Sequence, residues 1–283
     1  MVPRQRSVVA ADQERNVHRL LQASIYREGS TMKGIILAGG LGSRLRPLTK
    51  VTNKHLLPIY DRPMIYYPLE TLCKAGISEI MIVTGGNSAG DFLRLLGNGR
   101  DFGLKHINYT YQEGEGGIAD ALRLCEHFAD GGRICVVLGD NILEEDITPY
   151  ARRFEAQASG ARVLLKEVPD PERFGVPEIA GDRIVRIEEK PLAPKSRYAV
   201  TGVYFYDDRV FDFIRGLKPS ARSEFEITDV NNAYVAAGDL YFDILSGWWT
   251  DAGQFESLHL ATNLVAAKRQ AEGVEAPKLS SKS

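Results

Sequence analysis

A chain of 283 residues with 35 basic and 37 acidic side chains carries a formal charge of −2, too near balance to draw nucleic acid or an anionic membrane to the molecule as a whole. The length fits one large α/β domain or two small ones, and no run of about 18 apolar residues predicts a membrane span. Cys73, Cys125 and Cys135 lack C-x-x-C spacing, which argues against a disulfide framework or zinc site and for buried thiols in a reducing, cytoplasmic setting.

Residues 1–31 carry Arg4, Arg6, Arg15, Arg19 and Arg27, with a weak helical spacing at Val17, Leu20, Leu21 and Ile25. Without a continuous apolar segment, and with Asp12, Glu14 and Glu28 among the arginines, the stretch reads as a disordered extension rather than a targeting signal. From Met32 onward strands and helices alternate. Gly34–Ala38 is a short buried strand, 64–75 is helical and stops at Gly76, and 79–84 is a second buried strand. A helix over 91–96, a strand over 105–111, a helix over 118–128 and a strand over 133–138 follow. This rhythm predicts an α/β fold with a doubly wound, mostly parallel, Rossmann-like sheet, whose ligands sit at the carboxyl ends of its strands. After Ala161 the strands shorten (162–167, 175–179, 183–188, 198–206), then helices cover 208–216 and 228–237, a strand 240–245 and a closing helix 255–268. This second half is expected to extend the same sheet.

The first strand ends in Gly39-Gly40-Leu41-Gly42, followed by Arg44, Arg46, Lys50 and Lys54. Glycines allow backbone N–H groups to reach an anion and the cations neutralise it, a pattern suited to phosphate. The loop is neither Walker A nor a dinucleotide fingerprint, since Leu45 stands at the third-glycine position. Asp140, in Leu138-Gly139-Asp140-Asn141, lies just past a strand, and Asp251 follows Trp248-Trp249-Thr250. Together they could bind Mg²⁺, which takes one or two carboxylates plus substrate phosphates. Gln112 opens a glycine-rich turn running to Gly117, and its primary amide can both donate and accept a hydrogen bond.

Gly-Gly-Leu-Gly-Ser-Arg-Leu with Asn-Lys-His-Leu-Leu-Pro resembles the signature of the sugar-phosphate nucleotidylyltransferases, and of their thymidylyltransferase members in particular. Leu-Gly-Asp-Asn, Trp-Thr-Asp, the Gln112–Gly117 interval, Phe174-Gly175-Val176, Glu188-Glu189-Lys190-Pro191 and Val200-Thr201-Gly202 follow in the same order, covering nearly all of residues 32–265. The resemblance implies transfer of a nucleotidyl group from dTTP, or UTP, to glucose 1-phosphate, or another hexose 1-phosphate, with release of pyrophosphate. It implies catalytic roles for Arg44 and Lys54, and nucleotide contacts at Leu37, Gly39, Gly40, Gly42, Ser43, Gln112 and Gly117. Sugar-phosphate contacts fall at Gly175, Glu189, Lys190, Thr201 and Gly202, and Mg²⁺ at Asp140 and Asp251. A nucleotide half over 32–160, a sugar half over 161–270, a flexible tail over 271–283 and a homodimer or homotetramer are also implied. Phe174 departs from the Tyr and His55 from the Gln common in those members. The chain also ends before the tail that carries their regulatory nucleotide site, so product feedback is not expected.

A competing motif, Gly86-Asn87-Ser88-Ala89-Gly90, fits a nucleophile elbow with His259 as the late histidine. Only one strand precedes its own, and no oxyanion segment accompanies it. A nucleotide-sugar-binding regulator and a sugar-transferring enzyme are weaker readings, because the loop and both aspartates are intact and Asp140 is not part of a D-x-D.

Overall fold

The computed structural model describes residues 31–273, so the extension and tail expected at the two ends lie, but for their innermost residues, outside the described range. The strands in chain order are β1 (Lys33–Ala38), β2 (Pro58–Ile59), β3 (Arg62–Pro63), β4 (Glu79–Gly85), β5 (His106–Gln112), β6 (Ile134–Leu138), β7 (Asn141–Leu143), β8 (Ala161–Glu167), β9 (Gly175–Ala180), β10 (Arg183–Glu189), β11 (Tyr198–Tyr206), β12 (Leu240–Ile244) and β13 (Trp249–Asp251). Seven of them form one sheet in the order β12-β8-β11-β6-β1-β4-β5. All neighbours pair in parallel except at β11, which runs antiparallel to both β6 and β8.

The central strands are apolar on both faces because helices cover both. Ile36 and Ala38 of β1, Ile80 and Ile82 of β4, and Cys135 and Val137 of β6 join one core with Leu69, Leu72, Phe92 and Phe154 from the helices Tyr66–Lys74, Ala89–Leu96 and Thr148–Ala156. Ile35, Leu37, Val83, Ile134 and Val136 alternate to the opposite face. There they pack on Leu122, Phe211, Val230 and Tyr234 from the helices Ile118–Arg123, Val210–Gly216 and Ile227–Ala236. Strand alternation therefore writes two cores into one run of Ile, Leu and Val.

The helix expected over 118–128 is two, Ile118–Arg123 and Glu126–Ala129, broken where Cys125 closes a tighter turn onto Leu122. The helix Thr148–Ala156 was not apparent in the sequence because its buried face is only Tyr150, Ala151 and Phe154 among charged residues. Cys125 and Cys135 are buried, whereas Cys73 is half-buried, and all three thiols are free.

Topology sets where a ligand can lie. The chain starts in mid-sheet at β1, steps outward to β4 and β5, and then returns to the other side of β1 as β6. The connections after β1 and β6 thus diverge to opposite faces, opening a crevice at their carboxyl ends. Three smaller units wall it. The β9–β10 hairpin is gripped by the Ile227–Ala236 helix, where Asn232 accepts from the Ile187 N–H (2.9 Å) and donates to the Ile187 carbonyl (2.8 Å). A β7–β13 ladder pairs Asp251 with Asn141. The closing helix Phe255–Ala271 starts with a Gln254/Ser257 capping box, and its Ala261 and Val265 pack with Ile59 and Met64 of the β2–β3 region.

Candidate active site

The crevice is a cleft of about 850 Å³. Gly39 is buried at the end of β1, beside the end of β4: a Cβ on Gly85 would fall 2.4 Å from the Gly39 carbonyl oxygen, so two backbones touch there and only glycine fits. Gly42 has φ +64 and caps the short turn Ser43–Leu45 that carries Arg44 to the rim, and a Cβ on it would press on Lys54 Cβ at 2.9 Å.

Lys54 opens the turn Lys54–Leu56, which Asn53 caps by accepting from the His55 N–H at 2.9 Å. The same Asn53 Oδ1 accepts from His55 Nδ1 at 2.8 Å, which puts the ring proton on Nδ1, while Asn53 Nδ2 donates to the Ala38 carbonyl at 3.2 Å. The lysine turn is thereby tied to the end of β1. Burial, with the Lys54 ammonium adjacent, pushes the His55 imidazole down to about 3, so it is neutral at ordinary pH. Lys54 Nζ reaches Asp140 Oδ2 at 2.5 Å. Burial opposes ionisation of Asp140, but Lys54 and the Asn141 amide, which donates to Oδ1 at 3.0 Å, outweigh it and hold the carboxyl well below the usual range. Asn141 in turn accepts from the Gly202 N–H (2.8 Å) and Trp249 Nε1 (2.7 Å), locking the Asp140 corner to β11 and β13.

Asp251, at the end of β13, faces this corner. A Cβ on Gly253 would lie 3.4 Å from Asp140 Oδ2, 3.6 Å from Asp251 Oδ2 and 3.7 Å from Arg44 Nη2, so the three groups converge on one small volume. Burial and the Asp140 charge push Asp251 up to about 6, with Arg173 only partly offsetting them from 3.5 Å. Among the described residues no cluster of three or more His, Cys, Asp and Glu side chains forms a metal cage. Two carboxylates that converge on one small volume fit a hard divalent cation that completes its shell with substrate oxygens.

Gln112 ends β5 and is buried beside Gly39, and Leu37, Ile118, Ala121 and Leu138 add apolar lining to the cleft. On the other side Glu189 ends β10, accepting from the Thr228 hydroxyl at 2.7 Å, and Lys190 follows with φ +45. Phe174 packs edge-on to Trp249, with ring centroids 5.2 Å apart, beneath the Arg173 guanidinium.

All the residues nominated from sequence line the cleft except Gly42, which lies under Lys54, and Thr201. Alternation along β11 turns Val200, Gly202 and Tyr204 to the cleft and Thr201 to the far face, where its buried hydroxyl donates to the Leu164 carbonyl at 2.9 Å. A second correction concerns Gln112, expected both to donate and to accept. Its amide nitrogen already donates to the Gly117 carbonyl (3.1 Å) and Asp120 Oδ2 (2.9 Å), leaving only an acceptor. Neither Ser88 nor His259 lines the cleft, and His259 pairs with Asn263 on the exposed face of the last helix.

The nucleotidyl transferase family matches residues 33–268. This chain belongs to that family. It is 49% identical over 238 residues to a glucose-1-phosphate thymidylyltransferase of Neisseria meningitidis, covering 83% of this chain and 82% of that one. The enzyme of the same name from Mycobacterium tuberculosis (CDC 1551 / Oshkosh) is 42% identical over 248 residues, 86% of this chain and 85% of that one. A Bacillus anthracis protein assigned to the same activity and solved with sucrose superposes with a TM-score of 0.80 at 55% identity, covering 83% of this chain and 95% of that one. A UDP-glucose pyrophosphorylase solved with UDP-glucose shares the fold at 24% identity, with a TM-score of 0.75 over 85% of this chain and all of that one.

Sequence reasoning about this nucleotidyl transferase missed the residues that hold the nominated ones in place. Asn53, Gly85, Asn141, Thr228 and Asn232 touch their partners across long sequence separations. Asn141 alone carried a local hint, standing beside the strand-end aspartate.

Proposed function

We propose that this nucleotidyl transferase moves the thymidylyl group of dTTP onto glucose 1-phosphate, forming dTDP-glucose and pyrophosphate. The observation that carries the reading is the convergence of Arg44, Lys54, Asp140 and Asp251 on one point at the switch of the sheet, in a chain closely similar to glucose-1-phosphate thymidylyltransferases. The attacking phosphate oxygen needs no general base, because a phosphomonoester loses its second proton near pH ~6. Catalysis then rests on alignment and on neutralising charge at the α-phosphate and the leaving pyrophosphate.

In this reading the backbone of Gly39 and Gly40, Ser43 and Arg44 hold the triphosphate, and Lys54 neutralises charge at the α-phosphate. Glu189 and the backbone near Gly175 and Gly202 receive the sugar hydroxyls, and Lys190 orients the attacking phosphate. Asp140 and Asp251 would hold Mg²⁺, which would supply positive charge to offset that of the substrate phosphates. The nucleotide half is 32–160, the sugar half 161–270, and the working particle a homodimer or homotetramer.

The test is pyrophosphate release from glucose 1-phosphate and Mg²⁺ with dTTP, UTP, CTP, GTP and ATP in parallel. dTTP should be fastest. UTP ahead of dTTP would keep the chemistry and change the nucleotide, while silence with every nucleotide and a panel of hexose 1-phosphates would overturn the proposal.

A further inference from the structure

Gln112 lines the cleft together with Leu37, Ile118, Ala121 and Leu138, and its orientation is imposed from behind. Its nitrogen has two hydrogens, and both are engaged: one by the Gly117 carbonyl at 3.1 Å, the other by Asp120 Oδ2 at 2.9 Å. A backbone carbonyl and an ion-paired carboxylate can only accept, so the alternative flip, with the amide oxygen facing them, would set acceptor against acceptor. Asp120 is itself held, its Oδ1 accepting from Arg123 Nε at 2.9 Å and Nη2 at 2.8 Å. It is buried, and a Cβ on Gly116 would fall 2.4 Å from Oδ2, so the glycine turn leaves the carboxylate just the room it occupies. The amide oxygen is left on the side of Gly39, where it lies 2.8 Å from the position of a Cβ on that residue.

We infer that Asp120 is a specificity-determining positioning residue: by locking the Gln112 amide it presents the nucleotide with an acceptor and no donor. This rests on the proposed function, taken with Gln112 as the cleft group that meets the nucleobase. A pyrimidine with N–H at the ring position facing Gln112, as in thymine or uracil, completes the hydrogen bond. Cytosine offers a lone pair there and is repelled. The device separates imide pyrimidines from cytosine and leaves the choice between thymine and uracil to other groups. Without Asp120 only the Gly117 carbonyl opposes the turn that would offer an amide N–H to a cytosine ring nitrogen.

The test compares kcat/KM for dTTP and dCTP with glucose 1-phosphate in the wild type, Asp120→Ala, Asp120→Asn and Arg123→Ala, alongside calorimetric binding of both nucleotides. The wild type should favour dTTP by about 10² or more, since a mismatched buried polar group discriminates strongly. Asp120→Ala should lower that ratio about tenfold or more, Asp120→Asn should lower it less, and Arg123→Ala, which leaves the carboxylate in place, should retain it. Equal losses for dTTP and dCTP in both Asp120 variants would make the residue merely structural and overturn the inference while the proposed function stands. If Asp120→Ala fails to fold, the Asp120→Asn ratio decides. If no pyrophosphate is released by any variant, the ratio of binding constants still reads the lock, and a wild type that binds neither nucleotide overturns the inference together with the proposed function.

Discussion

Lys54 and Asp140 form the ion pair on which the chemistry of the cleft turns. At 2.5 Å and largely shielded from water, the pair has a stronger field than any exposed pair of the same charges. Lys54→Ala should lower kcat by about 10²–10³, the usual loss for one electrostatic donor. It should also lower the melting temperature, because the Asp140 carboxylate is left buried without its ammonium. Retention of near wild-type kcat in a folded variant would remove Lys54 from the reaction. The resemblance names Lys54 in Asn-Lys-His-Leu-Leu-Pro, but not its ion pair with Asp140, which stands 86 positions further along the chain.

At the scale of elements, the β9–β10 hairpin depends on one helix for its position. Asn232 mimics a strand neighbour, bonding both the N–H and the carbonyl of buried Ile187, two residues before Glu189 at the end of β10. Asn232→Leu leaves both backbone groups without partners, at a cost of about 1–3 kcal/mol for each group that stays buried. The expected outcome is a lower melting temperature and a raised KM for glucose 1-phosphate with a smaller change in the KM for dTTP. Equal shifts in the two KM values would show that the hairpin does not serve the sugar side alone. The hairpin was legible in the sequence as two short strands. Its clamp was not, because an Asn on a helix carries no mark of which backbone it will meet.

For the whole molecule, acid stability should depend on His55. The fold pushes this imidazole down to about 3, whereas the unfolded chain takes up a proton near 6.5. Protons therefore favour the unfolded chain between those values: the contribution is complete above about 6.5 and shrinks as pH falls, by up to about 1.4 kcal/mol per pH unit. Asp251, pushed up to about 6, binds protons in the fold over part of the same range and acts in the opposite sense. Comparison with His55→Gln isolates the histidine. The difference in unfolding free energy between the wild type and this variant, from urea titrations between about pH 7 and pH 4, should turn against the wild type as pH falls. A constant difference would mean that His55 titrates as it does in the unfolded chain.

The buried strands, their alternation with helices and the glycine-to-lysine stretch are local properties of the chain, and the sequence by itself determined them along with the family, while nearly all the residues it nominated line the cleft. Chain order was enough to make β1, β4, β5 and β6 parallel and to put Gly39 and Asp140 at the same end of the sheet. Tertiary structure alone decided which face of β11 Thr201 would occupy, which way the Gln112 amide would turn, and that Asp251 would meet Asp140 through the β7–β13 ladder. Those outcomes depend on register and on hydrogen bonds between residues far apart in sequence, and a one-residue shift of a strand reverses each side chain it carries.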